Sequence, residues 1–575
     1  MPVHNEEVAR IFEEIADLLA LRDENPFRIR AYLRAAQSIR AQRRELADRV
    51  REGEDIDALP GIGPDLKSKI IEILNTGRCQ TLDRLRKKVP AGLRELLRIH
   101  GLGPKRVRAL WNELKIGSRA DLQRAIADGT VPAVRGFGPK LVARLAEELK
   151  SRSAEERRWL RPIAAQFAEP LAAYLRAVPG IEQVLIAGSY RRGRETVGDI
   201  DLLVGAADET AVKKALLAYD EIGQWLAQGD KNISVILRSG LRIDIRISAP
   251  SCFGAGAHYF TGSKAHNIHV RRLGQEHGLK INEYGVFRRG RIVAGDTEAS
   301  VFACVGLPYI PVELREDQGE VEAARGGRLP LLLSREDLRG DLHSHTKSSD
   351  GHDSLKAMAL AARTAGLEYL AITDHSRHLG IVHGLDEAEL RKQMESIDRL
   401  NEQFRDITLL KGVEVDILES GELALPDRLL AELDVVVAAI HGHFDLPADR
   451  QTDRILRAME HRAFSILAHP GSRLIGQRPS IAFDLERVCR AAKSRPCFLE
   501  LNAQPDRLDL DDAQCRMVRD HGVLISISSD AHDASQLDNL QFGVTQARRG
   551  WLSAADVLNA HPLAQVHQLL KSTIL

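Results

Sequence analysis

A chain of 575 residues is too long for one core, and three or more domains are expected. Its 44% hydrophobic and 28% charged residues describe an ordinary globular protein, and six scattered cysteines without a CxxC pair exclude a disulfide framework. No apolar run approaches the roughly 18 residues that a membrane helix needs, so no membrane partner is expected.

The net charge of zero hides an asymmetry. Residues 1–150 hold 29 Lys and Arg against 22 Asp and Glu, residues 341–575 hold 26 against 35, and 14 of the 20 histidines follow residue 340. A basic front points to a polyanionic partner, and an acidic, histidine-rich back to bound cations. The N-terminal stretch MPVHNEEVARIFEEIADLLA reads as an amphipathic helix and not as a secretory leader or transit peptide, so a cytoplasmic location is expected. Nothing demands more than a monomer.

Residues 1–150 read as short helices separated by glycine turns. One pattern recurs three times: LPGIGPDLKSKI (59–70), IHGLGPKRVRAL (99–110) and VRGFGPKLVARL (134–145). The pairs Gly61 and Gly63, Gly101 and Gly103, and Gly136 and Gly138 permit tight turns, and each following helix start offers unpaired N–H groups. Such a turn holds a phosphate without reading a base. Lys69 in the first hairpin's helix, and Lys105, Arg106 and Lys140 past the other two turns, add positive charge. One such turn would suit simple helix packing. Three on a basic segment resemble helix-hairpin-helix motifs, which implies non-specific contact with a nucleic-acid backbone.

From about 151 to 250, helices are followed by short apolar strands: VLIAG, DIDLLV, NISVIL and LRIDIRI. Asp199 and Asp201 sit inside one of them. A strand puts alternate residues on one face, so these carboxylates project together, and they repel unless a cation lies between them. Gly188 and Ser189, leading into Arg191 and Arg192, supply amide, hydroxyl and guanidinium donors beside them, a set that suits a triphosphate and paired-cation phosphoryl or nucleotidyl transfer. Asp244, in LRIDIRI, is the candidate third carboxylate; a strand-face ion pair with Arg242 or Arg246 is the alternative.

Together GSYRRG, GDID, RIDIR, YFTGS and INEYG resemble the family X DNA polymerases of the polymerase beta type, over roughly residues 1–313. The resemblance implies an all-helical N-terminal domain and fingers, an α+β nucleotidyltransferase palm and a small thumb. It implies two magnesium or manganese ions on Asp199, Asp201 and Asp244, with deoxynucleoside triphosphates and gapped or primed DNA as partners. Gly188, Ser189, Arg192 and Gly198 match triphosphate contacts. Tyr259, Phe260, Thr261 and Gly262 match the segment beside the sugar, Asn267 a residue touching the incoming base, and Arg271 one facing the template. Lys264 replaces an acidic residue of the animal enzyme and could add a phosphate or base contact. Lys69 aligns with the lysine that animal relatives use as a Schiff-base nucleophile, though a basic helix also uses such a lysine for phosphate.

Residues 251–313 look small and irregular, and the charged stretch beyond them reads as a linker. After residue 340 apolar strands alternate with helices seven times: GDLHSHT, EYLAITDH, LLKGVEVD, VVVAAIHGH, FSILAHP, CFLELN and VLISISSDAH. That rhythm argues a parallel α/β barrel or doubly wound sheet. His343, His345, Asp350, His375, Glu414, His441, His469, Asp530 and His532 fall where the strands end, and strand C-termini of a parallel barrel converge on one face. His352, His378, His461 and His521 are expected to be satisfied locally.

The order HSHTKSSDG, ITDH, GVE, AIHGHF, AHP and SSDAH resembles the polymerase-and-histidinol-phosphatase (PHP) domain, which implies a distorted seven-stranded barrel with three divalent metals. One would take His343, His345, Glu414 and Asp530; a second Glu414, His441 and His469; a third Asp350, His375 and His532. Mixed imidazole and carboxylate ligands suit manganese, zinc or iron. Asn502 and Arg507 are candidates for substrate phosphate, and His443 is an unassigned neighbour.

The expected division is an N-terminal helical domain (1–90), fingers (91–150), palm (151–250), thumb (251–315), linker (316–338) and PHP domain (339–575). The expected activity is a repair polymerase that fills short gaps, joined to a metal-dependent 3′–5′ exonuclease that could also cut at abasic sites or remove 3′-phosphates. The alternative is a DNA-tethered phosphoesterase acting on a small-molecule phosphate.

Overall fold

The computed structural model describes the chain except positions 1, 2, 4, 41, 43, 44, 55, 57, 58, 60, 98, 100, 101, 135, 139, 140, 144, 147, 148, 150–157, 378–382 and 575. The chain divides into two compact units, residues 1–157 and 158–575.

The first unit is all helix among its described residues, with helices that include Asn5–Leu21, Pro26–Arg40, Pro64–Thr76 and Pro104–Leu114. Phe12, Ile15, Leu19, Ile39, Ile70, Leu96, Leu110 and Leu122 share one core. The glycine-to-proline steps of the first two hairpins start helices as expected, because proline's fixed φ suits the first helical position and costs no hydrogen bond there.

The second unit opens with a five-stranded sheet in the order Ile181–Ile186, Asp199–Ala206, Arg242–Ser248, Asn232–Leu237, Ile222–Gln228. Asp199–Ala206 and Arg242–Ser248 run parallel, and the other pairs run antiparallel. Ile200, Leu202 and Val204 pack with Leu171 and Leu175 of the helix Arg161–Arg176, and with Val212 and Leu216 of Glu209–Leu217. Burying that face leaves the alternate face, with Asp199 and Asp201, for chemistry.

Two segments differ from expectation. Residues 251–313 are regular: helices Phe253–Thr261 and Lys264–Glu276, then an antiparallel sheet of Lys280–Asn282, Gly285–Arg288 and Arg291–Ala294. The stretch expected as a linker is packed. Its helix Glu320–Arg325 puts Val321 and Ala324 into the core that holds Val270, Phe302 and Leu332, and the buried Glu320 lies 2.7 Å from His266 Nδ1. A charged composition misleads here because the acid is paired and buried rather than solvated.

Seven parallel strands then follow in chain order: Gly340–Asp341, Tyr369–Ile372, Thr408–Asp416, Val435–Ala439, Ile466–Leu467, Phe498–Asn502 and Ile525–Ser528. Val435–Ala439 is buried along its whole length, as strands covered on both faces are. Several intervening helices begin at side-chain caps, at Ser354, Asp386, Asp484 and Asp511; Asp386 with Glu389 and Asp511 with Gln514 form reciprocal capping boxes. First and last strands meet, as His345 N–H donates to the Ala531 carbonyl at 2.8 Å and Asp530 N–H to the His343 carbonyl at 3.0 Å. No helix among the described residues is long and apolar enough to cross a membrane.

Candidate functional site

In the helical unit, the apolar residue between each glycine pair is the anchor. Ile62, Leu102 and Phe137 are buried, while Gly61, Gly63, Gly103, Gly136 and Gly138 are exposed. A Cβ at Gly63, Gly103, Gly136 or Gly138 would meet nothing, so the backbone there stands open to a ligand. Lys105 is exposed beside the second turn. Gly101 and Lys140 lie outside the described residues. Lys69 is ion-paired with Asp65 one helical turn earlier.

In the palm, the parallel register sets Asp201 directly opposite Asp244, and Asp199 opposite Arg242. Burial, and then the charges of Asp199 and Asp244, push the Asp201 carboxyl up to about 7. Asp244 accepts from the Ser234 hydroxyl and lies 3.1 Å from Arg242 Nη2, so the ion pair weighed against its metal role is present. Gly188 lies over the acids. At φ +61 it begins the single turn Gly188–Arg191, and a Cβ on it would come within 2.2 Å of Asp201 Oδ2. Three acids on adjacent strands beneath this buried glycine offer the oxygen ligands that divalent cations take.

The neighbouring donors are held in place. Arg192 Nη1 donates to the Thr261 carbonyl and its Nε to Glu316 Oε1 at 3.0 Å. Arg191 pairs with Glu298. Ser263 caps the helix Lys264–Glu276, on which Lys264 and Arg271 are exposed. Asn267 Nδ2 donates to the Tyr259 carbonyl at 2.6 Å, leaving its buried Oδ1 without a partner. Tyr259 and Phe260 are half-buried, and the Arg246 guanidinium lies 5.8 Å from the Phe260 ring centroid.

The barrel gathers the nine strand-end residues at one mouth. His343 Nε2 and His345 Nε2 face one another at 3.2 Å. Glu414 Oε2 lies 3.3 and 3.5 Å from them, and Asp530 Oδ1 3.7 and 3.1 Å. The other Glu414 oxygen is 3.1 Å from both His441 Nε2 and His469 Nε2. Asp350 Oδ2 lies 3.5 Å from His375 Nε2 and 3.4 Å from His532 Nε2, and His345 joins this last group through Nδ1, 3.8 Å from Asp350 Oδ1. The expected sets are thus brought together, with His345 between two of them.

Charges explain why these groups tolerate burial. Burial alone would raise the Glu414 and Asp530 carboxyls, but the surrounding histidines hold both well below the usual carboxylate range. Burial opposes charge on His343, yet Glu500, Glu414 and Asp530 outweigh it and raise its ring well above the ordinary histidine range. His345 Nδ1 and His469 Nδ1 are buried without a hydrogen-bond partner, and His375 Nδ1 lies 3.0 Å from Glu414 Oε2, which ties His375 to the Glu414 group as well. Imidazole nitrogens converging on shared carboxylates fit divalent metals of the borderline kind.

A second layer of acids was not singled out by the sequence reading. Glu500 lies 2.7 Å from His343 Nδ1, and its other oxygen accepts the His469 backbone N–H at 2.7 Å. Asp416 lies 2.9 Å from His441 Nδ1. Asp374 accepts from the Thr346 and Ser349 hydroxyls and from Gln393, tying down the loop that carries Asp350. The available signal was an acid within an otherwise apolar strand: Glu500 in FLELN, Asp416 in GVEVD. Asn502, expected at substrate phosphate, is fully buried and donates to Asp530 Oδ2 at 3.0 Å, so it orients a carboxylate instead. Arg507 Nε lies 3.9 Å from that same oxygen. His443 is exposed beside Glu419, His461 pairs with Asp427, and His521 lies 2.9 Å from the Met517 carbonyl. His352 is exposed, and His378 lies outside the described residues.

Five family models match: helix-hairpin-helix domain (3–79), SAM-like helix-hairpin-helix tandem (93–151), DNA polymerase beta palm (164–233), DNA polymerase beta thumb (256–316) and PHP domain (341–504). The chain is 36% identical over 573 residues to the DNA polymerase/3'-5' exonuclease PolX of Bacillus subtilis (strain 168), covering 99% of this chain and 100% of that one. A probable phosphatase of Thermoanaerobacter sp. (strain X514) is 29% identical over 244 residues, 40% of this chain and 94% of the relative. Another, of Syntrophotalea carbinolica, is 30% identical over 250 residues, 41% of this chain and 93% of the relative.

Proposed function

The chain belongs to the family X DNA polymerases that carry a C-terminal PHP domain, and from that premise we propose that it fills short gaps in DNA during repair and trims the primer 3′ end. The reading rests on one observation above others: Asp201 and Asp244 face each other in register, while a separate ring of histidines and acids closes around Glu414.

In the palm, Asp199, Asp201 and Asp244 would hold magnesium or manganese. Ser189, Arg192 and the backbone at Gly188 and Gly198 would receive the triphosphate. Tyr259, Phe260 and Gly262 would flank the sugar, and Asn267 would meet the base. Lys264 adds a phosphate or base contact, and Arg271 meets the template. The glycine turns of the helical unit would grip DNA backbone through open N–H groups.

In the barrel, His343, His345, Glu414 and Asp530 would hold one metal; Glu414, His441 and His469 a second; and Asp350, His375 and His532 a third, as manganese, zinc or iron. Bound cations supply Lewis acidity at both places, lowering the pKa of the primer 3′-hydroxyl in the palm and of a water at the barrel mouth. The chain's own part is to fix tautomers, through Glu500 and Asp416, and to neutralise phosphate, through Arg507. An abasic-site phosphodiester or a 3′-phosphate offers the same electrophile and would be accepted too.

Asp199→Ala with Asp201→Ala should abolish gap filling and leave exonuclease intact, and His343→Ala or Glu414→Ala should do the reverse. Loss of both activities in either variant would refute two separate sites. The match of the barrel to probable phosphatases favours a second reading, in which the barrel hydrolyses a free phosphomonoester at a rate indifferent to DNA.

A further inference from the structure

Polymerase and barrel meet where the triphosphate loop is built. The barrel helix Leu540–Arg549 lies against Gly193, and a Cβ on that glycine, whose φ is +70, would sit 2.3 Å from Thr545 Cγ2. Only a residue without a side chain allows this approach. Two positions on, Glu195 accepts from Gln546 Nε2 at 2.8 Å and pairs with Arg473, four residues past His469.

Arg549 occupies the centre of the contact, with its side chain 2% exposed. Its Nη1 donates to the Arg192 carbonyl at 2.8 Å and to Glu316 Oε1 at 3.0 Å, and its Nη2 binds Asp512. Glu316 Oε1 also accepts from Arg192 Nε at 3.0 Å. With Nη1 bonded to the Thr261 carbonyl, two nitrogens of the Arg192 guanidinium are fixed and Nη2 is left for a ligand. Glu316 bridges the two guanidiniums, and that shared carboxylate fixes the direction of Arg192, which stays protonated whatever its partner.

We propose that Arg549 of the barrel is a positioning residue of the polymerase site, setting the Arg192 guanidinium for the incoming triphosphate through Glu316 and the Arg192 carbonyl. This rests on the reading of Arg192 as a triphosphate contact. The barrel thereby serves nucleotide insertion as well as its own chemistry.

The test is single-nucleotide gap filling by the full-length protein, with exonuclease rate and Tm measured on the same samples. Arg549→Ala should raise KM for the deoxynucleoside triphosphate about ten-fold, the size of a lost charge-assisted hydrogen bond, while kcat changes much less and exonuclease is unaltered. The milder Glu316→Gln should move KM the same way, and the double variant should be no worse than the stronger single, because both act through one contact. An unchanged KM in both single variants, additive effects, or exonuclease and gap filling falling together would overturn the proposal. Arg192→Lys separates it from its premise. If that variant leaves KM unchanged, the triphosphate reading itself fails and takes the proposal with it; if it raises KM while Arg549→Ala does not, the proposal alone fails.

Discussion

Glu500 lies 2.7 Å from His343 Nδ1, so a fully buried carboxylate decides which ring nitrogen of His343 faces the other metal-ligand candidates. With a proton held on Nδ1, Nε2 is the nitrogen that gives up its proton to bind a metal beside His345, Glu414 and Asp530. Glu500→Ala should cut exonuclease roughly 10- to 100-fold through weakened metal binding, with gap filling unaffected. Metal content after dialysis, measured beside both activities, checks it; an unchanged metal content would defeat the assignment.

Gly188→Ala should silence the polymerase alone. The new methyl would lie 2.2 Å from Asp201 Oδ2, and alanine would also have to adopt φ +61. The strain costs on the order of 1–3 kcal/mol, but displacement of an acid does the greater damage. Insertion into a one-nucleotide gap should fall to background while the exonuclease rate stays at the wild-type value.

Reloading of the barrel with metal should depend on pH. Burial would lower His532, yet its hydrogen bond to Asp350 and the Asp530 charge outweigh that and push the ring up to about 9. Because this pKa is raised, the metal-free ring is protonated at neutral pH, and a proton must leave before an ion can bind. That competition fades as pH climbs towards 9. After chelation, the manganese concentration giving half-maximal exonuclease should drop about ten-fold between pH 7 and 8 for each proton displaced. Equal values at the two pH settings would contradict this.

Lys69 should not trap an abasic sugar. A Schiff base needs a nitrogen free to attack, and Lys69 Nζ is engaged by Asp65 on the same helix face. Borohydride reduction with a 5′-deoxyribose-phosphate gap should leave no adduct on Lys69 by mass spectrometry, whereas an adduct at that position would restore the lyase role.

The placing of the palm acids and of the barrel's histidines and acids was legible because strands alternate with period two and parallel strands end on one side; Asp199, Asp201 and the residues after each apolar run obey both rules. The edge strand Ile222–Gln228 was not, since most of its residues are exposed and only Ile222 and Trp225 carry a partial apolar signal. Glu320 reads as one more charge in a polar run, and only the folded chain brings His266 to it. Arg549 and Glu316 are 233 positions apart, and no local pattern announces such a pair.

Asp341 accepts the N–H groups of both His343 and Ser529, stitching the barrel's first strand to its last. During synthesis, the segment bearing His343 leaves the ribosome long before the one bearing Asp530, so the ring of ligands stays incomplete until nearly all of the chain has emerged. The palm's three acids lie within 46 residues of one another and can assemble much earlier. The acids of strand extension can therefore come together before the ring of strand erasure, and Arg549 follows after both.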